Sequence, residues 1–289
     1  MSIRKLGLSL AALLAIGAVM ASSASAAVET MPGKFFVEGA LLTGSKTVTG
    51  SAVTNGVLES EIGTTKIKLQ STAFSCEGCK IENAAKTEKA GAIAFGEGKI
   101  VFENVTVVEP ANCTVTGETG VLGKVPTKQL AIHGDWMDTV EAQKHAFIQF
   151  LPLSGGTFAQ FTLGGAGCAA ISGAKNVSGT VFGESKLNTG EEAATQELVF
   201  SQAVQETTGA SLLLGIKPAK FSGTGAFKLT TGEKFSIKTE FSAWNATTDY
   251  QKDDIVEHPA GSGSCWRALK TSLGVTPEAK SEFWVSRTC

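Results

Sequence analysis

The most enzyme-like residues of the sequence are five acidic and histidine side chains that lie within thirteen positions of one another: His133, Asp135, Asp138, Glu141 and His145. If the segment 134–146 is a short helix, Asp138, Glu141 and His145 share one of its faces, where they could bind a metal or act as an acid/base pair. Their spacing is not that of the HExxH zinc site. A solvated helix whose first acidic residues complement the helix dipole explains the same pattern. We therefore predict a surface helix here, with no catalytic residue and no metal site.

A second cluster with possible chemistry is the CxxC sequence from Cys76 to Cys79. This spacing occurs in thioredoxin-like redox sites, which require a βαβ context, and in zinc sites, which require a second close pair. The sequence offers neither, since Cys113 and Cys168 are far apart. The six cysteines instead favour structural disulfides in an exported protein. If Cys265 pairs with Cys289, the other four allow three connectivities.

The N-terminal segment 1–26 has the three parts of a secretory signal peptide. Arg4 and Lys5 give it a positive start, an apolar run follows from Leu6 to Met20, and Ala24-Ser25-Ala26 resembles a cleavage site. The apolar run is shorter than the roughly 20 residues that span a bilayer. We expect a secreted or cell-surface protein that is not inserted in a membrane after the signal is removed.

The net charge of −2 at pH 7 bears on the partners of the protein. Nucleic acids and anionic membranes are bound through a basic face, which this near-neutral composition does not favour. No nucleotide-binding glycine pattern is present, and we predict neither a cofactor nor a nucleic-acid partner.

Residues 27–240 consist of short runs in which apolar and polar side chains alternate, separated by turn residues. This period of two is typical of strands that bury one face. A dozen or so such runs predict an all-β domain, and we expect an antiparallel, jelly-roll-like β-sandwich. Within residues 91–109, the FGEGK sequence at 95–99 predicts a hairpin turn.

Residues 241–289 contain all but one of the tryptophans and the single tyrosine: Trp244, Tyr250, Trp266 and Trp284. Large aromatic side chains can give a very short segment a core of its own. A unit of this size usually needs a cross-link, which Cys265 and Cys289 could supply. We therefore predict a small β-module that is stapled by a disulfide.

The C-terminal segment resembles a known family on the basis of its aromatic spacing. The residues that carry the resemblance are Trp244, Tyr250, Asp254, Val256, Trp266-Arg267-Ala268, Pro277 and Trp284. This order resembles the family 5/12 carbohydrate-binding modules of bacterial chitinases and cellulases, and also small modules of phage tail proteins. The resemblance implies a small β-fold in which Trp244 and Trp284 close the core, and Asp254 shapes a turn.

The same resemblance implies a sugar-binding surface, to which we assign Tyr250, Trp266, Arg267 and Lys270. Two features depart from the family pattern. Asp253 precedes Asp254 where the family usually has glycine, and Lys270-Thr271 replace the exposed aromatic pair of the chitinase-type members. The second departure favours a packing role for the module.

The larger domain has a separate resemblance to exported actinobacterial proteins of unknown role. It is carried by these residues: Cys113, Thr127-Lys128-Gln129-Leu130, Phe150-Leu151-Pro152-Leu153, Cys168 and Val177-Ser178-Gly179-Thr180-Val181. The resemblance implies a surface-protein module and names no chemistry.

Three functions are compatible with the sequence. The first is a non-catalytic exported bacterial protein that binds a polysaccharide, either chitin-like or a cell-wall glycan, through its C-terminal module. The second is a structural surface or fibre component without a sugar ligand. The third is a secreted glycoside hydrolase, which would need two carboxylates that face each other across a groove of the larger domain.

Overall fold

The computed structural model describes residues 29–84, 93–138, 144–187, 190–238, 242–250, 252, 255–260, 262, 264–279 and 281–288. The chain is all-β, with 61% strand and 6% helix, so the predicted fold class is confirmed. The helices of the described part are α1 (Gln202–Thr208) and a 3₁₀ helix (Ala166–Ile171). The strands of the larger domain are β1 (Glu29–Pro32), β2 (Lys34–Val37), β3 (Ala40–Leu41), β4 (Ser45–Ala52), β5 (Gly56–Ile62), β6 (Thr65–Ser71), β7 (Ala73–Ala84), β8 (Ile93–Glu103), β9 (Thr106–Glu109), β10 (Thr114–Gly117), β11 (Val125–Pro126), β12 (Leu130–Asp138), β13 (Lys144–Pro152), β14 (Thr157–Gly164), β15 (Gly173–Gly179), β16 (Val181–Ser185), β17 (Gln196–Phe200), β18 (Leu212–Leu214), β19 (Lys217–Leu229) and β20 (Phe235–Lys238). The strands of the C-terminal module are β21 (Ser242–Ala243), β22 (Asp249–Tyr250), β23 (Ile255–Glu257), β24 (Ser264–Ala268), β25 (Ser272–Leu273) and β26 (Trp284–Thr288).

Eight strands of the larger domain form a closed antiparallel ring. Hydrogen-bonded pairing runs from β12 to β13, β16, β17, β19, β4, β7 and β8, and returns from β8 to β12. The expected sandwich is therefore corrected, because the main sheet closes into a barrel. Both architectures bury one face of every strand, and closure also removes the unpaired sheet edges that an open sheet exposes.

Glycines on the inner side of this ring face bulky core side chains. A Cβ added to Gly50 would lie 2.7 Å from the ring of Phe74, and one added to Gly183 would lie 2.9 Å from the ring of Phe200. An eight-stranded barrel has an interior just wide enough for side chains, so large residues need small ones opposite them. The glycine content of the sequence thus serves the packing of the barrel interior as well as its turns.

A second array of strands continues from one end of the ring. It runs β9, β6, β5, β19, β18, β15, β14, β10 and shares the long strand β19 with the ring. The N-terminal half of β19 pairs with β5 and β18, and its C-terminal half pairs with β4 and β17. Between the halves lies Gly223, which has a φ of +149° and approaches the carbonyl oxygen of Asn55 so closely that a Cβ would lie 3.0 Å from it.

The other end of the ring is covered by a three-stranded sheet made of β20, β2 and β3. Phe35 and Phe235 of this sheet are only 1% and 3% exposed and belong to the same core as the ring. Asn83 of β7 ties the sheet in place, since its side chain accepts from the N–H of Phe35 (2.8 Å) and donates to the carbonyl oxygen of Leu42 (3.0 Å).

The predicted disulfides of the larger domain are present, and the structure selects one of the three open connectivities. Cys76 pairs with Cys79, and Cys113 pairs with Cys168. Cys76 and Cys79 flank a bulge of β7, and Cys113 and Cys168 join the β9–β10 connection to the 3₁₀ helix that precedes β15. Disulfides of this kind are compatible with an oxidising, extracellular environment.

Two local predictions are wrong. The described residues of the predicted helix, 134–138 and 144–146, are in strands, because Leu130–Asp138 and Lys144–Pro152 form the antiparallel pair β12 and β13. The FGEGK segment is not a turn, because β8 passes straight through it. The α-helix of the described residues is α1, which begins after Ser201, whose hydroxyl accepts from the N–H of Val204, and ends at Gly209 in the left-handed conformation.

The C-terminal module has a four-stranded sheet in the order β21, β23, β24, β26, and a separate pair of β22 with β25. Its buried residues form a cluster distinct from the core of the larger domain: Tyr250, Val256, Ala268 and Trp284. The segment 241–289 therefore has a core of its own, as its aromatic content predicts.

Within the described residues, no helix has the length and hydropathy needed to cross a membrane. The predicted signal peptide, residues 1–26, lies outside these residues.

Candidate binding surface of the C-terminal module

The core of the module is organised around Trp284, which is only 2% exposed. Its ring meets the ring of Tyr250 edge-on, with centroids 5.3 Å apart, and its indole N–H donates to the carbonyl oxygen of Val275 at 2.8 Å. Ala268 lies opposite Trp284 in the pairing of β24 with β26 and is fully buried. A small residue opposite a tryptophan leaves room for the indole, so this pair fixes the packing of the two strands.

Tyr250, which the sequence suggests as a sugar ligand, lies in this core. The side chain is 6% exposed, and its hydroxyl accepts a hydrogen bond from the N–H of Asn245 at 2.7 Å. The side chain of Asn245 in turn accepts from the N–H of Thr247 at 2.9 Å, an Asx turn that holds the loop before β22. The ring of Tyr250 therefore contacts Trp284 and the loop, and leaves little surface on which a sugar could stack.

Trp266 is half-buried against the same core. Its indole N–H donates to the carbonyl oxygen of His258 at 2.9 Å, so this donor is already used inside the module. The ring of His258 meets the half-buried ring of Trp244 edge-on, with centroids 5.3 Å apart. The indole nitrogen of Trp244 is shielded from solvent and has no hydrogen-bond partner among the described residues. Both tryptophans thus contact His258, the residue that follows β23.

The opposite side of the sheet carries a different set of side chains. Arg267 lies directly opposite Val285 in the β24–β26 pairing, and directly paired residues share one face of a sheet. Because successive residues alternate between faces, this is the face away from Ala268 and Trp284. The N–H of Leu269 donates to the carbonyl oxygen of Phe283 at 2.8 Å, which continues the pairing beyond β24. We name the surface formed by Arg267, Leu269, Phe283 and Val285 the outer face. Phe283, which precedes β26, also packs partly against the core cluster of the module.

The outer face combines apolar and cationic groups that solvent reaches. Leu269 and Val285 are each 40% exposed, and Arg267 and Phe283 are half-buried. Lys270 lies above this surface with its amine 4.1 Å from the centroid of the Phe283 ring and 3.0 Å from a carboxylate oxygen of Glu282. The ammonium group of Lys270 therefore covers the ring of Phe283. The Lys270 side chain is 47% exposed, so burial does not hold it in this position.

Of the four predicted sugar ligands, the structure brings Arg267 and Lys270 to the outer face and places Tyr250 and Trp266 with the core. Phe283, Leu269 and Val285 were not predicted. For Val285 the sequence contained a signal, because strand alternation separates it from Trp284, its neighbour in β26.

The remaining structural residues of the prediction are only partly described. Cys265 is 1% exposed and disulfide-bonded, and its predicted partner Cys289 lies outside the described residues. Asp254 also lies outside them, so its predicted role in a turn is not described.

The enzyme-like cluster of the larger domain is distributed over two paired strands. The backbone of His145 lies opposite Met137, and that of His133 lies opposite Gln149. The ring of His133 has its centroid 6.0 Å from that of Phe95, and Glu141 lies outside the described residues. Within the described ranges, no group of three or more His, Cys, Asp or Glu residues is arranged to hold a metal ion.

Comparison of the chain with protein-family models, curated proteins and solved structures found no match.

Proposed function

We propose that this is an exported, non-catalytic bacterial protein whose C-terminal module attaches it to a polysaccharide, either chitin-like or a cell-wall glycan. The observation that carries the proposal is the outer face, where Lys270 lies over the ring of Phe283, Arg267 lies opposite Val285, and Leu269 and Val285 are exposed. Sugar rings present an apolar face bordered by hydroxyls. Recognition sites for them combine apolar contact area with a few fixed hydrogen-bond donors.

The cationic side chains supply the donors of this site. The guanidinium of Arg267 has five N–H groups and the amine of Lys270 has three, and neither can accept, so both suit the oxygen atoms of a glycan. A sugar that stacks on Phe283 displaces Lys270 from the ring. The lysine is then free to donate to a hydroxyl of the same sugar.

The experiment is a pull-down of residues 27–289 on insoluble chitin, cellulose and peptidoglycan. Loss of one hydrogen bond from a charged donor costs about 1.5–3 kcal/mol, so Lys270→Ala and Arg267→Ala should each weaken binding by roughly 10-fold or more. Lys252→Ala is the matched control, because Lys252 is an exposed lysine of the same module. Retention on none of the three polymers, or equal retention of all variants, contradicts the proposal.

A structural role is the second candidate, and the burial of Tyr250 and Trp284 favours it. The aromatic side chains of a sugar platform must be exposed, whereas these two form the core of the module. A surface or fibre component would self-associate and would not bind glycans. Sedimentation of the wild type that shows concentration-dependent assembly, together with no retention on any polymer, would support this function over the first.

The internal space between the strands of the larger domain has no Asp or Glu residue in its lining, so it does not supply the two carboxylates that a glycoside hydrolase needs.

A further inference from the structure

The larger domain contains a partly open cavity of about 110 Å³, lined by strands of the eight-stranded ring and of the second array. We name it the interior cavity. Strands of the ring and strands of the second array both contribute to its wall, and so does the long strand β19, which belongs to both. The lining includes Ala52, Thr54, Ser71, Ala159 and Gly223, together with the phenylalanines Phe74, Phe102, Phe150, Phe200, Phe221 and Phe227.

Six phenylalanine rings form a continuous aromatic wall around this space. The ring of Phe221 meets those of Phe102 and Phe200 edge-on, with centroids 5.7 Å and 5.4 Å away. Phe150 and Phe227 continue the wall, with centroids 6.3 Å apart. Phe102, Phe200 and Phe221 are only half-buried although they contact one another, and all three line the cavity.

The lining of the cavity offers few hydrogen-bonding groups to a water molecule. No charged residue lines it, and the polar side chains in its wall are Thr54, Ser71 and Thr224. The hydroxyl of Ser71 is already hydrogen-bonded to the carbonyl oxygens of Ala73 (2.7 Å) and Glu103 (2.8 Å). A buried water normally makes about three hydrogen bonds, and an apolar cavity of roughly 150 Å³ in another protein stays dry and binds benzene or xenon.

The cavity approaches the surface at the connection between β4 and β5. Thr54, in that connection, is the exposed residue of the lining, and Ala52, Gly56, Gly223 and Thr224 beside it are half-buried. The N–H groups of Val53 and Thr54 both donate to the carbonyl oxygen of Thr224, which fixes the connection against β19. The cavity is therefore accessible beside this loop, whose backbone is held to β19.

We propose that the interior cavity binds a small apolar molecule of the size of one aromatic ring or a short branched alkyl chain. The volume excludes larger hydrophobic molecules, such as a long fatty acid. The apolar lining excludes sugars and charged metabolites, because their polar groups would be buried without partners. This site belongs to the larger domain, so it does not depend on the proposed glycan surface.

The test uses residues 27–289 with toluene and dissolved xenon as probes. Toluene at ten times its Kd should raise the Tm by roughly 3–5 °C, because it binds only the folded state. The ¹²⁹Xe chemical shift should depend on protein concentration, with an exchange contribution from a bound site.

Two substitutions fill the cavity from different sides. Ala52→Leu extends from the rim and Ala159→Leu from the buried wall, where Ala159 is 6% exposed. Each should reduce the toluene-induced Tm shift and the xenon effect at least 5-fold. Val53→Leu is the matched control, because Val53 adjoins Ala52 but is 48% exposed and not part of the lining.

No effect of either probe on the wild type would overturn the proposal, as would equal effects on wild type and both filled variants. If one filled variant does not fold, the other decides the outcome, since Ala52 of β4 and Ala159 of β14 are different positions of the same lining.

Discussion

Gly98 of β8 lies directly against Cys79 of β7, so closely that a Cβ on Gly98 would be 2.7 Å from the Cα and 2.9 Å from the Cβ of Cys79. Cys79 is bonded to Cys76 across the bulge of β7, in which Gly78 has a φ of +63°. The disulfide-bonded bulge thus packs against β8 at Gly98, one of the two glycines of that strand.

Gly98→Ala should therefore destabilise the barrel by about 1–3 kcal/mol, because backbone atoms must move to admit the new methyl group. Urea denaturation followed by circular dichroism measures the loss. Gly156→Ala is the control, since nothing lies within 4 Å of a Cβ at that position. Equal stability of the two variants would show that β7 and β8 can separate at no cost.

The two disulfides of the larger domain should contribute unequally. Cys113–Cys168 links residues 55 positions apart, whereas Cys76–Cys79 spans 3. In the chain-entropy model, removing them costs about 4 and about 1.6 kcal/mol, respectively. Alanine double substitutions at each pair, compared by urea denaturation, test this order. A larger loss at Cys76–Cys79 would mean that its contacts with β8 outweigh loop entropy.

Trp284→Ala should unfold the C-terminal module while the barrel stays folded, because Trp284 belongs to a core cluster separate from that of the larger domain. Truncating a buried tryptophan costs about 3–5 kcal/mol. Amide hydrogen exchange should show protection lost in residues 242–288 and kept in 93–103. Val285→Ala, at a neighbouring residue that is 40% exposed, should leave both regions protected.

Acid pH should weaken the contact between Lys46 of β4 and Glu233, which precedes β20. Hydrogen bonds from Lys46, at 2.7 Å, and then from Thr231 lower the pKa of the Glu233 carboxyl below its ordinary value of 4.5. A lowered folded-state pKa stabilises the fold above the ordinary pKa, and this contribution is lost as the pH falls through the lowered value. The effect on stability is small because both side chains are 31% exposed.

Lys46→Met should raise the pKa of Glu233 part of the way to its ordinary value, since the Thr231 contact remains. A ¹³C NMR titration of the Glu233 carboxyl measures the change. Lys234→Met, which removes an adjacent exposed lysine, is the control. An unchanged pKa in Lys46→Met would show that the ion pair does not persist in solution.

Local patterns in the sequence predicted the strands well and their interruptions less well. The alternation in Lys46–Val53 and Thr157–Gly164 corresponds to β4 and β14. The prediction of a turn at FGEGK was wrong because Gly96 and Gly98 are typical of turns, whereas here they allow close approach of the adjacent strands β7 and β12. The signal for α1, with Ser201 before it and Gly209 after it, was present but lay next to the alternating run of β17.

For the C-terminal module, the sequence predicted a compact unit with an aromatic core but not which aromatic residues face outward. The spacing of Tyr250 and Trp266 in the sequence is compatible with burial in the core and with exposure on the surface of the module. The burial of Trp266 follows from the pairing of Ala268 with Trp284, because Trp266 lies on the same face of β24 as Ala268. Tyr250 lies on β22, outside that sheet, and is buried by the contact of its ring with Trp284.

The sequence by itself determined that the chain is all-β, that its apolar side chains alternate with polar ones, and that its C-terminal aromatic residues make a separate core. These properties depend on neighbouring residues, which share strand geometry and period. Only the tertiary structure decided that the ring closes from β8 to β12, that Cys113 meets Cys168, and that six phenylalanine rings surround an empty space. Those outcomes depend on contacts between residues far apart in the chain, and every strand with one buried face is compatible with many such pairings.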